Sequence, residues 1–565
     1  MTSTDRSRGQ ISLLALALCL TSAELLLAQP SQTFIDTIDV QVVEVDVVVT
    51  DRKDRPITGL KREDFELYVD GRPAEIANFY ESEVLAEPPR ATGRNETPTA
   101  GTAAATGYTN DPAPLTIVLY MDDANLFPPY RTRLLKRLEK TAESWRSLNA
   151  RFMFARFVNR LEVVVPPTPD LDAILDAATQ RMKGQARAIQ NQRSRQVVIQ
   201  EMRRGGCQNI GYLLGLAAMH ANEQATRAAI AADGLADLTS TLAGVPGKKA
   251  IVYVSDGLPQ QPGLSVFAYI AEELCPNAPG ITSEVHSAAQ QYDETNRFQR
   301  ISAHANANRV TLYMLDAAGI RAGLNQSMAF DGRPPSFSND RLHWTNVQGG
   351  LHQLASETGG KALLNTNDMA DLFEDVVEQL ASSYSLGFVP DERRPGEVRR
   401  LKVELAQDAS SGRRVEYRRS YRDKAPDERL AEQMMSVAYL GNSSNPLGVS
   451  VALGTTTAQE KKVHRLPVRI VVPEEAILLR PGPGEPSGEL RLLLLAMEEM
   501  RGGRTPVRQM TVNVGGSSDV AASGGAYSFD VAVSLPENDY QVVVGVRDET
   551  TGITSLLREA VSVPQ

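Results

Sequence analysis

The spacing of hydrophobic and polar residues changes character several times along the chain. Val40–Thr50, VQVVEVDVVVT, alternates apolar and acidic positions and predicts a strand with one wet face. Two further short strands are read in GLKREDFELYVDGRPAEIANFYES, joined at Asp70-Gly71, a dipeptide suited to the positive φ angles of a tight hairpin turn. Residues 34–84 thus form a small β unit. Three strands with one apolar face are marginal alone, so a partner sheet is expected from elsewhere in the chain.

At Leu115–Leu126, LTIVLYMDDANL, alternation gives way to an apolar run that stops at two adjacent carboxylates, Asp122 and Asp123. Bounded by Pro114 and by Pro128-Pro129, it reads as a strand buried on both faces at the centre of a parallel sheet. Such strands deliver acidic residues to the carboxyl edge, where open α/β sheets bind their ligands. Helical and strand patterns then alternate. Tyr130–Leu148 is helical, RFMFARFV and LEVVVP form a hairpin, and Leu171–Met182 and Asn209–Leu242 are helices, the second entered through Gly205-Gly206. The basic, helical stretch Gln185–Arg204 between them reads as a solvated insertion. The strand in KAIVYVSDG ends at Asp256 and VTLYMLD ends at Asp316; a helix at Asn346–Thr358 stops at Gly359-Gly360, and a closing helix at Asp368–Ser382 follows the short strand KALLN. This alternation implies right-handed crossovers and a mostly parallel sheet with helices on both faces.

Strand patterns return in SLGFVP, EVRRLKVELA and RRVEYRRSY, so residues 385–422 are expected to pair with 34–84 in one small β-sandwich from which residues 114–384 are inserted. Residues 86–113, rich in Pro, Gly, Thr and Ala, read as a flexible linker, and 423–446 as a second, charged linker with helix-like residues toward Leu440. From 447 to 565, alternating runs separated by PGPGEPSG, RGGR, GGSSDVAASGG, PEND and DETTG argue for a second sandwich of immunoglobulin type, with Tyr540 placed for a tyrosine corner.

Composition narrows the class. At 565 residues, 42% hydrophobic and 23% charged, the chain is ordinary globular material with more than one domain. A net charge of -10 sets nucleic acid aside, since its recognition needs a concentrated basic patch. Residues 1–28 carry Arg6 and Arg8, a short apolar core and small residues near Ala23 and Ala28, the pattern of a secretory signal peptide. The expected location is secreted or periplasmic, with no transmembrane segment after cleavage. Cys19 is preceded by Leu18, where a lipoprotein site wants a small residue. The other two cysteines, Cys207 and Cys275, are open to two readings, a disulfide or two thiols.

The order of a strand ending in DDAN, a Gly-Gly loop into a long helix, VSDG, YMLD, and LASETGGKALL followed by ASSYSLGFVP is similar to the von Willebrand factor A (VWA) domain, in the secreted version common in acidobacteria. VTDRKDRPITGLKREDFELYVDGRPAEI resembles that family's leading segment, and the resemblance covers roughly residues 35–422. It implies a Rossmann-like domain flanked by β-sandwich strands and a divalent cation, Mg²⁺ or Mn²⁺, at the top of the sheet. The family builds that site from D-x-S-x-S, a loop Thr and a later Asp. Asp122 and Asp256 match the first and last positions, Ala124 and Leu126 replace the serines, and Cys207 falls where the threonine is expected. Asp123 and Asn125 offer substitute oxygens. A Cys207–Cys275 bridge would brace the ligand loop. The implied function is protein–protein interaction, adhesion or assembly at the cell envelope, with a protein ligand of unknown identity; the alternatives are a metal-free structural scaffold and, remotely, a hydrolase. The six histidines are scattered without HExxH, and neither GxSxG nor GxxxxGK[ST] occurs, so no enzyme chemistry is expected.

Overall fold

The computed structural model describes residues 42–83, 115–180, 186–319, 335–365, 369–390, 394, 396–406, 410, 412–460, 462–480, 486–499, 503–516 and 522–564. The proposed leader and the 86–113 linker lie outside them. Four strands open the described chain: β1 (Val43–Thr50), β2 (Phe65–Val69), β3 (Arg72–Ala74) and β4 (Asn78–Glu83). Asp70 and Gly71 turn β2 into β3 at φ of 49° and 78°, the left-handed geometry a two-residue hairpin requires.

The α/β region carries β5 (Leu115–Asp122), β6 (Ala150–Phe157), β7 (Leu161–Thr168), β8 (Lys249–Ser255), β9 (Val310–Asp316) and β10 (Ala362–Leu363), in the order β10-β9-β8-β5-β6-β7. All neighbours are parallel except β6 and β7. Its helices are α1 (Pro128–Lys140), α2 (Ala142–Arg146), α3 (Leu171–Gln180), α4 (Ala186–Gly205), α5 (Ile210–Thr241), α6 (Leu264–Tyr269), α7 (Ile281–Gln290), α8 (Thr295–Ala307), α9 (Phe337–Thr358) and α10 (Met369–Ala381). Every residue of β5 and β8 is buried because both faces are covered. α1, α2, α3 and α10 pack on Ile117, Leu119 and Met121; the C-terminal half of α5, with α8 and α9, packs on Val118, Tyr120 and Tyr253.

Several helices differ from the sequence reading: Tyr130–Leu148 is two helices, α1 and α2, that meet at Thr141. α9 begins nine residues before Asn346, at Phe337, capped by the Ser336 hydroxyl accepting the Asn339 N–H at 3.1 Å. FSNDRLHWT has no apolar stripe, so only the cap could have announced this start. α4 is not a solvated insertion. Its Val198, Ile199 and Met202 join Leu213, Ala217 and Ala221 of α5 and residues of α6 and α7 in a separate core.

The chain then enters β11 (Ser382–Phe388), β12 (Val398–Leu405), β13 (Arg414–Tyr417) and β14 (Ser420–Arg422). Front and rear segments interleave into two four-stranded sheets, β13-β1-β11-β4 and β14-β12-β2-β3, with Val45 opposite Leu386 and Leu67 opposite Val403. Val47, Leu67, Tyr384, Leu386, Leu401 and Tyr417 fill the space between them.

The segment 423–446, expected as a linker, contains α11 (Pro426–Leu440). Its Leu430, Met434, Met435 and Val437 press on Leu493, Leu495 and Val543 of the following domain, while the helix also contacts α5. That domain consists of β15 (Ser450–Leu453), β16 (Thr457–Glu460), β17 (Val463–Pro473), β18 (Ser487–Glu498), β19 (Arg508–Gly515), β20 (Ala526–Pro536), β21 (Asn538–Asp548) and β22 (Thr554–Val563). β15 and β16 share one edge of β17 and β20 takes the other; the second sheet runs β19-β18-β21-β22. Leu492–Ala496 of β18 is apolar without alternation because α11 covers the face that a lone sandwich leaves wet. Tyr540 lies within β21 and is buried. No helix among the described residues is long and apolar enough to cross a membrane.

Candidate functional site

The sheet order reverses between β5 and β8. From β5 the chain builds outward through β6 and β7, then crosses back so that β8, β9 and β10 extend the other side. Loops diverge at such a point and leave a crevice at the carboxyl ends of the two strands. Asp122 ends β5, and Asp256 follows β8 directly.

Asp122 is fully buried. The two-residue period places it on the face of Tyr120 and next to Tyr253 and Ser255 of the neighbouring strand. Its Oδ2 accepts the Tyr253 hydroxyl at 2.7 Å, Asn125 Nδ2 at 2.8 Å and Ser255 Oγ at 3.1 Å, and Oδ1 accepts the Asn125 backbone N–H at 3.3 Å. Burial pushes its pKa above the ordinary carboxylate value, and these hydrogen bonds oppose the rise. Asp123 is held elsewhere: Arg131 Nε donates to its Oδ1 at 2.9 Å in a buried ion pair, and the Arg131 Nη2 donates to the Ala178 carbonyl at 2.7 Å. Burial raises Asp123 too, against the pull of Arg131. Asp256 Oδ2 accepts the Phe127 N–H at 2.9 Å, which ties the loop after β8 to the start of α1. Gly257 follows at φ 134°, where a Cβ would lie 2.0 Å from Val347 Cγ1, so only glycine lets the loop pass α9. Asp316 is buried and structural, accepting the Ala318 N–H at 3.1 Å and Gln348 Nε2 at 2.7 Å.

Sequence reasoning missed Tyr253, Ser255 and Arg131. The alternation of Tyr253, Ser255 and the neighbouring Asp122 across one face was the available signal, but it requires knowing that β5 and β8 are adjacent. Together these groups fit a divalent ion poorly. Mg²⁺ demands near-octahedral oxygen donors, whereas Asp122 faces hydroxyl and amide donors, Asp123 is neutralised by a guanidinium, and the two serine positions hold Ala124 and Leu126.

Cys207 and Cys275 form a disulfide with their Cα atoms 5.5 Å apart. It does not brace a loop beside Asp122, as the sequence reading expected. A Cβ on Gly234 of α5 would lie 2.9 Å from the Tyr120 hydroxyl, which sets this point of the helix at the height of the sheet. From there back to Cys207 the chain is nearly all helix, so at 1.5 Å per residue Cys207 lies on the order of 30 Å beyond the sheet edge. The bridge instead joins the start of α5 to the end of the π-helical turn Ile270–Leu274, within the separate core of α4, α5, α6 and α7. Arg195 fastens that layer to α9 and α6, donating to Asp340 at 2.8 Å, to Asn339 at 2.5 Å and to Ser265 at 3.2 Å.

No protein-family model matches the chain, and no curated protein matches it. Solved structures similar to parts of it include an aerotolerance-related membrane protein from Bacteroides fragilis, 10% identical over 47% of this chain and 98% of that one, at a TM-score of 0.22. BatB, a conserved hypothetical protein from Bacteroides thetaiotaomicron, is 11% identical over the same shares, at 0.20. The PilB minor pilin from Streptococcus sanguinis is 11% identical over 60% of this chain and 88% of that one, at 0.24. At such scores no functional argument passes from those proteins to this chain.

Proposed function

We propose that this chain is an exported binding protein of the von Willebrand factor A type, which engages a protein partner at the carboxyl edge of its parallel sheet without a divalent ion. The observation that carries this reading is the reversal of strand order between β5 and β8, with Asp122 and Asp256 at the two adjacent strand ends. The ion-free form is supported by Asp122, whose carboxylate already receives four hydrogen bonds from Tyr253, Ser255 and Asn125.

The hydrolase alternative has one arrangement to consider. Ser240 Oγ lies 2.8 Å from His304 Nε2, and His304 Nδ1 lies 3.7 Å from Glu432. Ser240 sits in the last turn of α5, where free carbonyls rather than N–H groups face outward and would repel an oxyanion. Glu432 is moreover held by Lys424. A metal shared by His304, Glu428 and Glu432 is disfavoured for a similar reason, since Arg422 and Lys424 already pair the two carboxylates.

Photo-crosslinking residues placed at Asn125 and Gln261, with Arg469 of the C-terminal sandwich as control, test the partner face. One protein captured from both edge positions and not from Arg469 is the expected result; an edge that captures nothing, or no more than Arg469, overturns it. Calorimetric titration with Mg²⁺ and Mn²⁺ should give no saturable heat. Saturable heat that disappears in Asp122→Ala and Asp256→Ala would restore the metal site.

A further inference from the structure

A cavity of about 40 Å³ lies at the opposite, amino edge of the sheet, where β5, β8 and β9 meet the split sandwich. Lys248, Lys249, Arg309 and Arg418 line it, together with a single carboxylate, Asp46. Lys248 Nζ pairs with Asp46 at 3.0 Å and donates to Ser383 Oγ at 2.9 Å. Arg309 Nη2 lies 2.5 Å from Glu44 and 3.9 Å from Asp46. These two acids account for two of the four cations.

The other two form no salt bridge among the described residues, although both lie within the field of Asp46. Lys249 is only 6% exposed, and its Nζ donates to the Val245 carbonyl at 3.0 Å. Arg418, 8% exposed, donates to the backbone carbonyls of Asn306 and Glu44, and its Nε has no hydrogen-bond partner. Arg309 is held at φ 55°, a conformation non-glycine residues adopt rarely and mostly where the surroundings impose it.

Buried charge without compensation is unfavourable, and proteins resolve it by pairing, by neutralisation or by binding an ion. Burial, then the repulsion of Arg309 and Lys424, brings the Lys249 ammonium down to about 7, and burial with Arg309 brings Arg418 down to about 10. The attraction of Asp46 and Glu432 for Lys249, and of Asp46 and Glu44 for Arg418, opposes these shifts without cancelling them. The cavity has room for roughly three water-sized oxygens, by the 10–15 Å³ each requires. An oxyanion can present three of its oxygens to that space, and the excess of cations over carboxylates around it favours an anion there.

We infer that this cavity is a binding site for a small oxyanion of the phosphate or sulfate class, held by Lys249 and Arg418 at the seam between the α/β domain and the split sandwich. The bound oxyanion locks the two domains together, because Lys249 opens β8 while Arg418 follows β13. This site is separate from the proposed partner-binding edge and stands whether or not that edge is correct.

The test follows thermal unfolding of the mature, full-length protein as inorganic phosphate replaces chloride at constant ionic strength, with calorimetry for stoichiometry. The midpoint should rise saturably with phosphate, at one phosphate per chain. Arg418→Gln should abolish the rise. Should that variant fail to fold, Lys249→Met carries the test, since its Nζ satisfies only a carbonyl in the native chain. Equal midpoints in phosphate and chloride, or a Lys249→Met protein that responds as the native one does, overturns the inference.

Discussion

The Tyr253 hydroxyl donates to Asp122 Oδ2 at 2.7 Å, across the boundary between two parallel strands 131 residues apart in sequence. A carboxylate buried at the carboxyl edge is therefore stabilised by a phenol, with Ser255 and Asn125 donating beside it. Asp122 titrates higher in the fold than in the unfolded chain because burial disfavours its charge. A raised acid binds more protons when folded, so this group costs stability as pH rises through its folded pKa and costs none below the unfolded value.

Tyr253→Phe removes the shortest hydrogen bond to the charged form. The loss should be about 1–3 kcal/mol, as for a buried polar group deprived of a partner. It should be larger at pH 8 than at pH 4.5, because burial raises the Asp122 pKa and the lower pH leaves more of the carboxyl neutral. Urea unfolding at the two pH values measures this, and an equal loss at both would show that Asp122 does not depend on Tyr253 for its charge.

Reducing the Cys207–Cys275 bridge should loosen one layer and spare the sheet. The bridge closes a loop of 68 residues, and loop-entropy arguments assign such a closure roughly 4 kcal/mol. In Cys275→Ser, hydrogen exchange should accelerate in α4, α6 and α7 while β5, β8 and β9 keep their protection. Uniform acceleration would mean that the layer and the sheet unfold as one unit. Unreduced protein should also take up no alkylating label at Cys207 or Cys275.

A Cβ on Gly360 would lie 2.1 Å from the Leu312 carbonyl oxygen of β9. Neither backbone can yield cheaply there, so Gly360→Ala should cost about 1–3 kcal/mol, the range for forced overpacking. The β10 pairing at Ala362 and Leu363 should be lost first. A thermal midpoint within a degree of native would show that the Gly359-Gly360 turn shifts freely.

Deleting residues 34–84 should strip β1 from β11 and β13, and β2 from β12. Tyr384, Leu386, Leu401 and Val403 then face water, so the shortened protein should bind a hydrophobic dye and lose the cooperative melting of that sandwich. A chain starting at Pro114 that melts unchanged and stays dark would refute the dependence.

What the sequence determined by itself was whatever depends on neighbours along the chain. Strand β5 was legible because an unbroken apolar run has one physical solution, burial on both faces, and its end was legible because Asp122 and Asp123 cannot continue that run. The Asp70-Gly71 hairpin was legible for the same local reason: both residues tolerate φ > 0. Val40–Thr50 was read as a strand with one wet face, and of that stretch Thr50 and Val47–Val49 are buried on both sides.

Tertiary structure decided everything that rests on distance through space. Local pattern cannot state which strand lies beside β5, so it could not place Tyr253 against Asp122 or turn Asp123 toward Arg131. Nor could it tell that α5, at 32 residues, outruns the seven residues of β8, carrying Cys207 far from the edge it was expected to brace. The segment 423–446 reads as a linker because it opens on the charged run DKAPDERLAE; it becomes a packed helix where α5 and the C-terminal sheet both present apolar surface to it. The cluster of cations around Lys249 was invisible for the same reason, since Lys249, Arg309 and Arg418 come from three separate stretches of chain and meet only when the fold removes them from water.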